Sequence, residues 1–196
     1  MRAKTGLVAV VALCVAASAY AAKTKFHSVW KEPTASNLDL KGQKVAAVVV
    51  TPNPEAAREA EGLLARELTK RGAVGIPAYD LLPPKEPRDK AKAKAAFEQK
   101  GIVAAVVMRA GAGAQQGSYA TSASLWVTNG GFVGYDAGYL RNETKVLVET
   151  LVYDLRTDKL VWVGLSDTTN PKGIDALIKN LVKAAGAEMK KQGLIR

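Results

Sequence analysis

Two uninterrupted apolar runs constrain this chain more than any other feature: Val45-Ala46-Ala47-Val48-Val49-Val50 and Ile102-Val103-Ala104-Ala105-Val106-Val107-Met108. Each is too short for a fully buried helix and too evenly apolar for a strand with one wet face. Each therefore predicts a strand covered on both sides, as in a parallel sheet between helical layers. The runs share Val-Ala-Ala-Val-Val. A duplication would explain this, and so would similar demands on two central strands.

The residues between the runs follow the same logic. Asn53-Pro54-Glu55 predicts a helix start, with a capping side chain, a proline in the first turn and an acid near the positive helix end. Ala57, Ala60, Leu64 and Leu68 repeat on one helical face, and Gly72 supplies the stop. Gly75-Ile76-Pro77-Ala78-Tyr79 is a short strand that its proline makes less central. Pro83, Pro84 and Pro87 punctuate a loop, and residues 89–100 form a lysine-alanine helix closed by Gly101. The order β-α-β-α-β implies right-handed crossovers and a sheet that is at least partly parallel.

Residues 111–138 break the pattern: they are rich in Gly, Ala and Ser, almost uncharged, and carry Tyr119, Trp126, Phe132 and Tyr135. A loop of this length is uncommon inside a compact domain. Regularity returns at residues 144–153, where Val146, Val148 and Val152 alternate with Lys145 and Glu149. A turn over residues 154–159 and a return strand over 160–168 complete an antiparallel hairpin. Asn170-Pro171 opens a last helix with Ile174, Leu177, Ile178, Leu181, Val182, Ala185 and Met189 on one face; Gly193 ends it and Leu194 folds back as its cap contact. The expected fold is α/β, a three-layer or two-layer sandwich. Its β-α-β-α-β unit is followed by an antiparallel β-hairpin and a C-terminal helix packed on a mixed sheet.

The amino terminus points to export. Arg2 and Lys4 precede the uncharged apolar run over residues 7–17, and Ser18-Ala19-Tyr20-Ala21 puts small residues where a signal peptidase reads, so residues 1–21 are a signal peptide. The run is short of the roughly 20 apolar residues a membrane span needs, and the mature chain has no other candidate span. Cys14 offers a competing lipidation site, but Leu13 stands where a lipobox wants a small residue. Residues 22–43 form an extended lead-in that leaves room for a short edge strand around residues 26–30. Residues 44–196 are a single domain, long enough to bury a core without disulfides. The net charge is +10, with Arg2 and Lys4 contributing two of it. In an exported chain that excess points to solubility or to anionic envelope components, not to nucleic acid.

Few residues carry reactive chemistry. Cys14 is the only cysteine and His27 the only histidine, so nucleophile-histidine arrangements and zinc sites lack their parts. No catalytic residue, metal or cofactor is expected. Gly111-Ala112-Gly113-Ala114-Gln115-Gln116-Gly117 misses the dinucleotide spacing by one residue and lacks a phosphate-cradling Gly-Lys-Ser/Thr. Glu143, Glu149, Asp154, Asp158 and Asp167 are the carboxylates from which an acid-base pair would have to come. Alternation puts Glu149 outward from the valine face, and Asp154 and Asp158 suit the hairpin turn conformationally. The aromatic segment and its flank, Tyr119, Trp126, Phe132, Tyr135 and Tyr139, are the candidate ligand or partner contacts, since Tyr and Trp combine an apolar face with a polar handle.

Several blocks are familiar together: Leu40-Lys41-Gly42-Gln43-Lys44-Val45, Ala65-Arg66-Glu67-Leu68-Thr69-Lys70-Arg71-Gly72, Tyr139-Leu140-Arg141, Val148-Glu149-Thr150-Leu151-Val152-Tyr153, Thr168-Thr169-Asn170-Pro171-Lys172 and Met189-Lys190-Lys191-Gln192-Gly193-Leu194-Ile195. On these the chain resembles a family of uncharacterised small bacterial envelope proteins, many of them lipoproteins by sequence, grouped under a domain of unknown function. Its first half also looks like the α/β domains of the curli secretion channel and of the Tol system's periplasmic protein. The resemblance implies an envelope location and no established active site, and Leu13 departs from the lipoprotein members. The expectation is a non-enzymatic periplasmic binding or adaptor domain whose partner is an envelope protein, peptidoglycan or an outer-membrane component, with no oligomeric state implied. The alternatives are a carboxylate-dependent hydrolase of envelope polymers and a weak binder of anionic lipid or lipopolysaccharide through Lys85, Lys90, Lys92 and Lys94.

Overall fold

The computed structural model describes residues 23–35, 37–82, 90–110 and 145–196. In chain order they form β1 (Lys23–Lys31), β2 (Lys44–Val50), α1 (Pro54–Lys70), β3 (Val74–Pro77), α2 (Lys90–Gln99), β4 (Ala104–Ala110), β5 (Lys145–Asp154), β6 (Lys159–Thr169) and α3 (Ile174–Lys191), with a single 3-10 turn at Ala78–Asp80. Residues 1–21, expected to be a signal peptide, with Cys14 among them, Pro83, Pro84, Lys85, Pro87, the Gly-rich segment with Tyr119, Trp126, Phe132, Tyr135 and Tyr139, and Glu143 lie outside the described residues, as do the side chains of Lys90 and Lys92.

The six strands form one mixed open sheet in the order β1-β6-β5-β4-β2-β3. β2 is parallel to both β3 and β4, and the remaining pairs are antiparallel. The fold is α/β, and its helices pack on the sheet. The two apolar runs are the adjacent strands β2 and β4, covered on both faces. β3 lies to one side of β2 and β4 to the other. One right-handed crossover runs from β2 to β3 and the next runs back from β3 past β2 to β4, and two such connections of opposite direction must use opposite faces. Accordingly α1 packs with Ala47, Val106 and Val152 on one face, while Phe97 of α2 packs with Ala46, Ala105 and Val107 on the other. The shared pentapeptide consequently points opposite ways in the two strands: Ala46 and Val48 face α2, whereas the matching Ala104 and Val106 face α1. Burial on both faces accounts for the likeness without positional equivalence.

Local chemistry starts and stops the elements. Asn53 Oδ1 accepts from the backbone N–H groups of Glu55 (3.0 Å) and Ala56 (3.2 Å), which caps α1. α3 begins later than Asn170-Pro171 predicts. Asn170 and Gly173 adopt positive φ (47° and 94°), carrying the chain from β6 into the helical layer, and Gly173 caps α3 without a side-chain bond. Its apolar stripe is buried as expected, and Leu194 folds back with its N–H on the Met189 carbonyl (2.9 Å) and no exposure. The lead-in supplies β1, which pairs antiparallel with β6 through a bulge at His27, and the segment after it buries Leu38, whose N–H donates to the Leu194 carbonyl (2.6 Å). The sheet thus extends well before residue 44.

Candidate functional site

β2 and β4 are adjacent parallel strands whose carboxyl ends lie side by side. In open α/β sheets ligands sit in a crevice outside the carboxyl ends of such strands. Here the crevice is a cavity of about 690 Å³. Val49 and Met108 from β2 and β4, and Val146 and Val148 from β5, form one wall. Ile174, Leu177, Ile178 and Leu181 of α3 form the opposite wall, and Ala56 and Ala60 of α1 close the side. The floor, including Met108, Ile178, Leu181 and Ala60, is buried, whereas Val49, Val146, Ile174 and Leu177 near the mouth are half-buried.

Polar groups stand only at the rim. Thr51 and Asn53 follow β2, and Pro171 and Gly173 precede α3. Asn53 is engaged in capping α1, and the Thr51 hydroxyl faces the Asn53 N–H at 3.5 Å. Arg109, at the end of β4, reaches the rim from the other face of the sheet, where its Nε pairs with Glu149. Beneath that pair lies Tyr153, whose phenol burial pushes up to about 12; Arg109 opposes the shift and Glu149 adds to it.

Each of the four described candidate acids has a basic side chain of its own beside it. Glu149 pairs with Arg109, Asp167 with His27, Asp154 with Arg156 (2.9 Å) and Asp158 with Lys94 (3.3 Å). The Glu149 side chain is only 12% exposed, so the position that alternation sends away from the valine face is a covered ion pair and not a solvated one. Register places Leu147 opposite Asp167 and Glu149 opposite Leu165, so the two acids are diagonal neighbours on one face of the sheet. Asp154 and Asp158 are turn residues, as expected. Asp154 accepts from the Arg156 N–H (3.0 Å) and raises the Arg156 guanidinium pKa, while Asp158 adopts a positive φ of 53°. His27 sits in the β1 bulge, about half exposed. None of these acids lines the cavity among its described residues.

One buried acid escapes sequence reasoning. Glu61 is 1% exposed, and its carboxylate accepts from the backbone N–H groups of Val49 (3.1 Å) and Tyr79 (3.0 Å). The signal was its spacing: Ala57, Glu61, Leu64 and Leu68 lie on one helical stripe, which puts the acid in the core. Glu61 thereby fixes the end of β2 that forms the cavity's rim. No group of three or more metal-ligating side chains occurs among the described residues, and no described helix is long and apolar enough to cross a membrane.

No family model matches this chain, and neither does any curated protein. Among solved structures it is similar to the PelC dodecamer from Paraburkholderia phytofirmans, with 17% identity and a TM-score of 0.46 over 86% of this chain and 98% of that one. It is also similar to lipoprotein GNA1162 from Neisseria meningitidis, with 13% identity and a TM-score of 0.42 over 76% of this chain and 96% of that one. Likeness at this level assigns no role to any residue here.

Proposed function

We propose that this chain is a non-enzymatic binding domain of the bacterial cell envelope, and that the cavity at the strand ends is where it binds. The cavity carries the reading. It opens where α/β sheets place ligands, and it is lined with aliphatic side chains from β2, β4, β5, α1 and α3, its polar rim groups already engaged in holding the fold. Such a lining suits holding a molecule rather than transforming it. The envelope setting is supported by the leader-like residues 1–21, and Cys14 is the lipidation alternative to cleavage after Ala21. Tyr119, Trp126, Phe132, Tyr135 and Tyr139 are proposed as contacts to an envelope partner. The hydrolase alternative is less well supported, because each of the four described candidate acids has a basic side chain beside it and none lines the cavity among its described residues.

Native mass spectrometry of the protein recovered from the envelope tests this. Wild type should carry a small-molecule mass. Ala56→Phe and Ala110→Phe, which fill the cavity from half-buried positions at its edge, should lose that mass while melting within a few degrees of wild type. A bare mass for the wild type would remove the binding reading. The same spectra report whether residues 1–21 are gone.

A further inference from the structure

We propose that the cavity takes one linear acyl chain, with its polar end left at the mouth. This rests on the binding reading above and names the ligand class. The lining itself makes the selection. The described lining below the rim is aliphatic, a surface that hydrocarbon matches better than a sugar or a planar heterocycle does. Within the interior, Met108, Val148, Ile178 and Leu181 offer no hydrogen-bonding group, so the hydroxyls of a carbohydrate or the amides of a peptide would be stripped of water without replacement. A phosphate placed in that interior would have to bury its charge against the same side chains. What remains is hydrocarbon.

The shape favours a flexible chain over a rigid one. The walls combine branched aliphatics of β2, β5 and α3 with Met108 of β4 and the alanines of α1, an irregular surface that rotatable methylenes follow and a fused-ring plate does not. A volume of about 690 Å³ lies within the range of single-ligand pockets, roughly 300–1,000 Å³. That suits one chain better than the paired chains of a diacyl lipid. The opening lies between Thr51–Asn53 and Pro171–Gly173, where α1 and α3 both begin, so a polar head at the mouth stays in water beside the positive ends of two helices.

Displacement of a fluorescent polyene fatty acid from the mature chain tests the proposal. Competitors are saturated fatty acids of increasing length, a lysophospholipid, a two-chain phospholipid and a rigid tetracyclic hydrocarbon. The expected result is one-to-one saturation, with affinity rising about fourfold per added methylene until the cavity is full and level thereafter. Ala56→Phe should reach its plateau at a shorter chain. Free fatty acid ahead of lysophospholipid would identify an unesterified chain as the ligand source, and the reverse order a lipid-borne one; either order supports the proposal. Affinity that climbs with length without levelling, identical curves for Ala56→Phe and wild type, or a tetracyclic or two-chain competitor that outdoes every single chain would overturn it. If the envelope-recovered protein carries a mass lost in Ala56→Phe yet no acyl chain displaces the probe, the ligand class fails and the binding reading stands. If that mass is absent as well, both fail.

Discussion

Glu61 shows how a single buried acid can complete a sheet. β3 stops at Pro77, opposite Ala47 of β2, so the next β2 donor on that side, the Val49 N–H, has no strand partner. The Glu61 carboxylate accepts from it and also from the Tyr79 N–H just beyond β3. A carboxylate taking two backbone donors can be tolerated in a core, whereas two donors left dry cannot. Glu61→Leu should therefore lower stability by about 3–5 kcal/mol. Glu61→Gln, which keeps one acceptor oxygen, should cost about half as much. Urea melts of both variants check this, and a Leu variant as stable as wild type would remove the account. The stripe read from the sequence, Ala57, Ala60, Leu64 and Leu68, runs alongside position 61 without including it. It did not show what the acid holds, because the Val49 and Tyr79 donors arrive from separate elements.

At the scale of elements, β6 is the strand that fastens the amino-terminal segment to α3. Trp162 is fully buried, its indole N–H donates to Gln192 Oε1 (3.1 Å), and its ring meets Phe26 edge-on at 5.5 Å. Both rings lie over Gly164, where an added Cβ would fall well inside contact distance of each. Gly164→Ala should consequently displace the pair and cost about 1–3 kcal/mol. The near-ultraviolet circular dichroism of Trp162 should change with it; an unchanged spectrum and melt would refute the packing argument. The sheet's two edges are protected by different means. β1 carries a bulge at His27 together with Lys23, Lys25 and Lys31, while β3 is four residues long and ends in Pro77. Strand identity was legible from alternation and from the apolar runs. The nine-residue length of β1 was not, because Lys23, Lys25 and His27 are what an edge strand shares with a loop.

At the scale of the whole molecule, two apolar layers enclose one sheet, and Tyr153 ties the stability of the second layer to pH. Its phenol is raised to about 12, mainly by burial, so the folded chain holds that proton more tightly than the unfolded chain, whose tyrosines ionise near 10. The stabilisation is therefore complete below about pH 10 and is lost as pH rises toward 12, by about 2 kcal/mol at most. Urea melts at about pH 9 and about pH 12 should show a larger loss for wild type than for Tyr153→Phe; equal losses would mean the phenol is not linked to folding. At the acid end Glu67, held below the usual carboxylate range first by its Lys70 hydrogen bond, adds stability that fades as pH falls through its folded value. Its exposed partner keeps that contribution small.

By itself the sequence determined the covered strands, the α1 cap, the hairpin and the amphipathic stripe of α3, because each is written in neighbouring residues whose periodicity and backbone preferences act locally. Asn53 caps the helix it precedes, and Val45–Val50 needs two covered faces wherever the chain places it. Only the tertiary structure decided that Glu149 pairs with Arg109, that Gly164 lies under two rings, and that β2, β4, β5, α1 and α3 leave an aliphatic cavity where they meet. These depend on register and on which side each crossover takes, and a cavity belongs to the space between elements, which no single stretch of chain encodes.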